Sequence, residues 1–276
     1  MKKMQKHLSE RLVSIAVVLF IFIVFVFEIF IPRPFWADKI HLIICFWCFC
    51  NVMISFYKTC RNDSSTIGIV MPSRFTRSSG WHYCLSCKSH SPPRSYHCSI
   101  CNRCILRRDH HCMLTANCIG HKNYRYFMSF VFQIGFGSIY ASITHFSFIW
   151  TNMQHLTWIA SIGSHYIPAI FFALGFIDLR TACCNMISML CIISAVVSCF
   201  MFLYHGYLCL NEQTTHERVR SIKKYRKKNW TENLRSTLGK NWFLIVFVSP
   251  LIDSPMPNDG LYSYDSDNNL YGEKNL

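Results

Sequence analysis

The chain has 276 residues, of which 51% are hydrophobic, 16% aromatic and only 15% charged, against about 25% charge in soluble domains. That balance excludes an ordinary water-soluble globule and a disordered polar chain, and it points to a membrane. The 28 Lys and Arg against 14 Asp and Glu leave a formal net charge of +14, and its position beside apolar runs suits cytosolic loops and anionic lipid, not nucleic acid.

Lys2, Lys3, Lys6 and Arg11 precede residues 12–31, an apolar run whose one charge is Glu28. The run is long enough to cross a hydrocarbon core of about 30 Å. It ends in Pro32-Arg33-Pro34-Phe35-Trp36 with no small-residue cleavage site, so it is expected to remain as an anchor. A second apolar stretch, residues 40–57, returns the chain to the side of Lys58 and Arg61. Its Cys45, Cys48 and Cys50 read as packing residues, and Cys60 at its polar end is a candidate for acylation.

Residues 58–80 have loop character and lead into a cysteine-rich block that ends near Tyr126. Strong spans follow at 127–150 and 184–208; His145 in the first reads as a helix-to-helix hydrogen-bonding residue. Between them Ser164 to Asp178 is apolar but broken by Pro168 and Gly175. A crossing there would set the cysteine block and the basic tail on opposite sides, so a lumenal, interfacial or re-entrant segment is expected. Beyond the last span lie Arg218, Arg220, Lys223, Lys224, Arg226, Lys227 and Lys228, a short apolar stretch from Trp242 to Ile252, and a polar terminus that reads as loosely ordered. The expected fold is an all-α membrane protein with four transmembrane helices and a small cytosolic zinc-bound domain between the second and third. Its parts are residues 1–57 (N-terminal segment and two helices), 80–126 (cysteine-rich domain), 127–208 (two helices with a lumenal loop) and 209–276 (cytosolic tail).

The cysteine block repeats itself. Cys84-x2-Cys87-x9-His97-x6-Cys104 is matched, fourteen residues on, by Cys98-x2-Cys101-x9-His111-x6-Cys118. A cytosolic location keeps thiols reduced. Three thiolates and one imidazole in each set suit a closed, tetrahedral, structural Zn²⁺. A third copy would start at Cys112, but Thr115 stands where its second cysteine belongs. Cys112 is therefore spare, either a small buried residue or a nucleophile. With His111 assigned to zinc, His110 is free to act as its base and Asp109 to orient that base, which favours the nucleophile.

The string Arg107-Arg108-Asp109-His110-His111-Cys112 resembles the signature of the DHHC protein S-acyltransferases. The likeness extends from Cys84 through Pro93-x-x-x-His97-Cys98, Cys118 and Asn123-x-x-x-Phe127 to Thr214-Thr215-His216-Glu217 and Asn233-Leu234. It departs at Met113-Leu114, where the family usually has Pro-Trp. The resemblance implies that Cys112 accepts a fatty acyl group from palmitoyl-CoA or another long-chain acyl-CoA and passes it to cysteines of membrane-proximal substrate proteins. It also implies that Thr215 hydrogen-bonds near Asp109, and that the protein resides in the endoplasmic reticulum, Golgi or plasma membrane with its catalytic block and termini in the cytosol. Arg94, Arg107 and Arg108 are candidates to meet the CoA phosphates. The competing expectation is a membrane-bound zinc module that binds partners without catalysis.

Overall fold

The computed structural model describes residues 2–30, 39–71, 80–154, 156–223 and 225–261; the expected stop at 32–36, Lys224 and the terminus from 262 lie outside the described residues. The elements run α1 (Lys2–Phe30), α2 (Lys39–Arg61), β1 (His82–Cys84), β2 (Ser89–Ser91), β3 (Tyr96–Cys98), β4 (Arg103–Ile105), β5 (His110–Cys112), β6 (Asn117–Ile119), α3 (Tyr124–Asn152), α4 (Trp158–Tyr166), α5 (Pro168–Ala173), α6 (Leu179–Leu210), α7 (Thr215–Val219) and α8 (Trp230–Leu238). By contacts the chain divides into two compact units: residues 1–15, 54–130 and 203–276, and residues 16–53 and 131–202.

In α1, α2, α3 and α6 the apolar stretches are long enough to cross a membrane, and among the described residues these are the four helices that are. Their outer faces carry exposed Leu19, Phe22, Ile43, Phe46, Ile143, Val196 and Phe200, a surface suited to lipid. Inside the second unit the helices approach closely through small residues: a Cβ built on Gly135 would stand 3.3 Å from the Ser198 Cβ. The stretch around Ser164–Asp178 falls into the short α4 and α5. Thr157 caps α4, accepting from the Ala160 amide at 3.3 Å, and Pro168 opens α5, where its missing N–H goes unneeded. Neither helix can cross a bilayer.

The cysteine-rich block departs from the all-α expectation. It forms three two-stranded antiparallel hairpins, β1–β2, β3–β4 and β5–β6, whose first strands start fourteen residues apart. The sequence repeat is thus a repeat of hairpins. Each turn closes through a residue with positive φ at the same position: Lys88 (52°), Asn102 (57°) and Ala116 (48°). Such backbone is needed to fold a loop back over a metal-binding turn, and only tertiary restraint holds a lysine or an alanine there.

The C-terminal segment is bound to these hairpins by buried polar contacts. Arg94 donates to Glu217 through Nε (2.7 Å) and an NH2 nitrogen (2.8 Å), and a second NH2 bond reaches the Glu212 carbonyl at 2.8 Å. Arg107 donates to the Ser236 carbonyl (2.9 Å) and to Thr237 Oγ1 (2.8 Å). Asn233 donates to the Leu210 carbonyl at the end of α6 (2.8 Å) and accepts from the Lys227 amide (2.9 Å). Glu217→Ala would remove two of the Arg94 bonds and leave Glu212, at 3.4 Å, as the carboxylate facing its buried charge, so it should lower stability by about 3 kcal/mol. Chemical denaturation of the detergent-solubilised protein checks this; an unchanged midpoint would rule the clamp out.

Candidate active site

Strand geometry sorts the residues of β5. Successive side chains point to opposite faces, so His110 and Cys112 share one face while His111 points to the other. On the His111 side, Nδ1 lies 3.3 Å from Cys101 Sγ, 3.5 Å from Cys118 Sγ and 3.8 Å from Cys98 Sγ. In the first set, His97 Nδ1 lies 3.3 Å from Cys87 Sγ and 3.8 Å from Cys84 Sγ, and Cys87 and Cys104 sulfurs are 3.7 Å apart. In each set four donor atoms fall within 4.8 Å of one another, and three sulfurs with one imidazole nitrogen at such spacing fit tetrahedral zinc. The second imidazole has an outer partner absent from the sequence reading: His111 Nε2 meets Glu10 Oε2 at 3.1 Å. A carboxylate behind a metal-bound histidine fixes its tautomer and orientation, and Glu10→Gln should weaken zinc retention by about 10–100-fold in a chelator competition.

The other face carries a chain of hydrogen bonds. Asp109 is buried; its Oδ1 accepts from the Thr215 amide (2.8 Å), and its Oδ2 accepts from Thr215 Oγ1 (2.9 Å) and from His110 Nδ1 (2.7 Å). Cys112, two residues on along the same strand, lies on the face that the His110 ring occupies. Burial opposes a charge on Asp109, yet its bond to His110 and the neighbouring imidazoles and Thr215 amide hold its carboxyl below the usual range. Burial likewise opposes charge on His110, but its bonds to Asp109 and Cys112 raise it to about 9. For Cys112 burial pushes the thiol up, and the bonds from His110 and Thr115 outweigh it, so the net direction is down. Both directions favour a proton on His110 over one on Cys112, with the Asp109 carboxylate behind the imidazole.

Thr115 explains why the third hairpin lacks a metal set yet keeps the turn. In a metal-binding knuckle the amide three residues on bonds the first sulfur, as Cys101 N–H does to Cys98 Sγ at 3.4 Å. In the third hairpin the Thr115 hydroxyl donates to the Cys112 carbonyl at 3.4 Å, and Thr115 is among the groups that bring the Cys112 thiol down. Ser14 Oγ of α1 donates to the Leu114 carbonyl at 2.8 Å, pinning the same turn, while the Met113 and Leu114 side chains are exposed.

A second histidine, also absent from the sequence reading, lies behind the triad. His205 of α6 is buried, with Nδ1 2.9 Å from Tyr124 Oη and 3.9 Å from Asp109 Oδ2. Its ring sits 5.6 Å from that of His110 and 5.0 Å from that of Phe127, and Phe127 is 5.3 Å from His110. His110 is thereby held between a hydrogen-bonded carboxylate and two rings. A polar residue near the end of an apolar span was the signal available for it. His205→Ala should slow reaction of the Cys112 thiol with a thiol-reactive probe by roughly 10–100-fold through misplacement of the His110 ring, with zinc content unchanged. Asn123 of the Asn123-x-x-x-Phe127 motif has a structural part: it is fully buried, donating to the Thr59 and Cys118 carbonyls (3.1 and 2.9 Å) and accepting from the Gly120 amide (2.9 Å).

A spare thiol on the same strand face as a carboxylate-bound imidazole, carried on hairpins with two metal-ligand sets in a chain with four helices long and apolar enough to cross a membrane, is the arrangement of a membrane-associated group-transfer enzyme. Residues 77–222 match the DHHC palmitoyltransferase family. The chain is 31% identical over 201 residues to the protein of Rattus norvegicus named "Probable palmitoyltransferase ZDHHC24" (73% of this chain, 70% of the rat protein) and 33% identical over 201 residues to its Homo sapiens namesake, with the same coverage. It is 33% identical over 174 residues to "Protein S-acyltransferase 8" of Arabidopsis thaliana (60% of this chain, 37% of the plant protein). The chain belongs to the DHHC palmitoyltransferase family, and its activity is protein S-palmitoylation.

Proposed function

We propose that the chain transfers a long-chain acyl group, palmitoyl in the first place, from acyl-CoA to protein cysteines through a thioester on Cys112. The observation that carries this reading is the buried Asp109 carboxylate held by Thr215 and bonded to His110 Nδ1 at 2.7 Å, with Cys112 on the same strand face, which offers a proton carrier of fixed orientation beside a spare thiol. The Cys112 thiolate attacks the acyl-CoA carbonyl. The bond to the CoA sulfur breaks, and the departing thiolate takes the His110 proton. A substrate thiol then gives its proton to His110 and attacks the Cys112 thioester, which returns the imidazolium–thiolate pair. Thioester exchange is close to balanced, so positioning and charge stabilisation are what the protein must provide. The two Cys₃His sets hold structural Zn²⁺ and take no part in either step.

Each CH₂ of an acyl chain left in water costs about 0.8 kcal/mol, so the bilayer and the apolar helices are the fitting surroundings for the chain, with the hairpin block and both termini on the cytosolic side of an endomembrane or the plasma membrane. Of the arginines considered for the CoA phosphates, Arg94 and Arg107 are buried with their donors bound internally. That leaves Arg108, which is partly exposed. Protein purified in detergent and incubated with alkyne-tagged palmitoyl-CoA should acquire a hydroxylamine-sensitive label that Cys112→Ser abolishes. Equal labelling of both proteins, or none in a zinc-replete wild type, would overturn the acyl-Cys112 step and favour a non-catalytic zinc module.

A further inference from the structure

Among the long helices of the second unit lies a buried polar cluster that the transfer reaction leaves unused. Glu28 of α1, His41 and Cys45 of α2 and His145 of α3 are 5%, 3%, 7% and 0% exposed. We propose that these four side chains form a third zinc site, separate from the two Cys₃His sets of the hairpins.

His41 and Cys45 are one turn apart on a helix, the spacing that sets two ligands on one face. Cys45 Sγ lies 3.5 Å from His41 Nε2, inside the 3.3–3.8 Å span of the sulfur-to-imidazole separations in the hairpin sets. A Glu28 carboxylate oxygen falls within 4.8 Å of both donors. His145 lies outside that three-residue group but is placed beside its carboxylate and would complete it as a fourth donor: its Nε2 stands 2.6 Å from Glu28 Oε1. That distance is short enough for a strong hydrogen bond, yet neither atom is aligned for one. His145 Nδ1 also has no hydrogen-bond partner among the described residues. A carboxylate oxygen and an imidazole so deeply buried are costly to leave in that state. A cation between them would satisfy both, opening the pair to about 3.3 Å, the reach of two bonds of about 2.0 Å at a tetrahedral angle.

The surroundings supply what a metal-bound ring needs behind it. His41 Nδ1 lies 2.8 Å from Tyr140 Oη, an outer contact of the kind that fixes a ligand's tautomer. On loading, Nε2 would exchange its 3.1 Å bond to the Glu28 carbonyl for the metal. Charge balance favours the same occupant. One thiolate and one carboxylate neutralise a divalent cation, so the assembly adds no net charge to an apolar interior. A simple Glu28–His145 ion pair would neutralise the carboxylate but gives no account of the thiol and second imidazole converging on it. One sulfur, two nitrogens and one oxygen form a donor set that zinc accepts.

Full-length protein purified in detergent without chelator is expected to carry about three zinc ions per chain by plasma mass spectrometry, and His41→Ala/Cys45→Ser about one fewer. X-ray absorption at the zinc edge of the wild type should show a smaller sulfur share than Cys₃His sites alone produce. A wild-type edge spectrum with the full Cys₃His sulfur share, or an unchanged count in the double variant, overturns the site. The spectrum needs no variant, so a misfolded variant cannot decide the matter. Failure of the hairpin sets to bind zinc would read differently: the wild-type count would fall to about one and the variant's to none.

Discussion

His110→Ala is expected to slow acyl loading of Cys112 by about 10²–10⁴-fold, the range for removing a positioned acid–base group. The change removes more than a proton carrier. In the wild type, burial pushes the Cys112 thiol up and the His110 bond leads the forces that bring it down; without the imidazole, burial opposes ionisation with only the Thr115 bonds against it. The pH dependence should therefore change shape. Wild-type loading should hold through neutrality, because the thiolate persists below the ordinary thiol range, and decline above about pH 9 as His110 loses its proton. In the variant the rate should climb with rising pH, since each step upward ionises more of an unassisted thiol. Stopped single-turnover labelling with a fluorescent acyl-CoA across that range distinguishes the two curves. Parallel profiles would separate His110 from the ionisation of Cys112. Asp109→Asn should produce a milder version of the same change, because Thr215 still anchors the amide while the imidazolium loses its counter-charge.

The parts of this arrangement legible in the sequence are those encoded within a few residues of one another. The fourteen-residue repeat isolates both metal sets and the spare Cys112, and it corresponds to the hairpin spacing. Long apolar runs announce α1, α2, α3 and α6 because length and composition alone make a helix able to cross. The strands within the cysteine block were not visible: three-residue strands carry too little alternation to register, and metal-binding turns organise them instead of a hydrophobic face. Contacts between distant residues were equally hidden. Glu10 reaches His111 across 101 residues and Arg94 reaches Glu217 across 123, and nothing local marks an arginine as buried in a clamp instead of free for a phosphate. His205 stands out in the sequence only as a polar residue near the end of an apolar run, and its part depends on the Tyr124 and Asp109 groups that the fold brings against it.

Cys101→Ser should be more damaging than any substitution in the triad, removing zinc from the second set, most of the block's stability and acyl loading together. The hairpins have a small apolar core: Cys98, Ile105 and Cys118 form one buried cluster with Ile100 and Cys101 packed against it, and Leu106 and Ile119 are buried as well. Segments of that size need a metal or disulfides to fold, and a structural zinc contributes on the order of 10–16 kcal/mol. The second set also brackets the nucleophile. His111 precedes Cys112 and Cys118 follows it, and the Cys112–Asn117 and His111–Cys118 cross-strand pairs belong to one hairpin. Loss of that zinc would let β5 rotate, and the alternation that sends His110 and Cys112 to one face would no longer be enforced. Cys87→Ser, in the first set, should be milder. It strips a zinc farther along the repeat from Cys112, and its effect must pass through β3, where His97 serves the first set and Cys98 the second. Zinc counting, hydrogen exchange over residues 80–126 and acyl loading, measured on both variants, test this ordering. If Cys101→Ser kept wild-type exchange and loading while losing its zinc, the metal would not be what holds β5, and the hydrogen bonds from Glu10, Ser14 and Thr215 would have to carry the geometry alone.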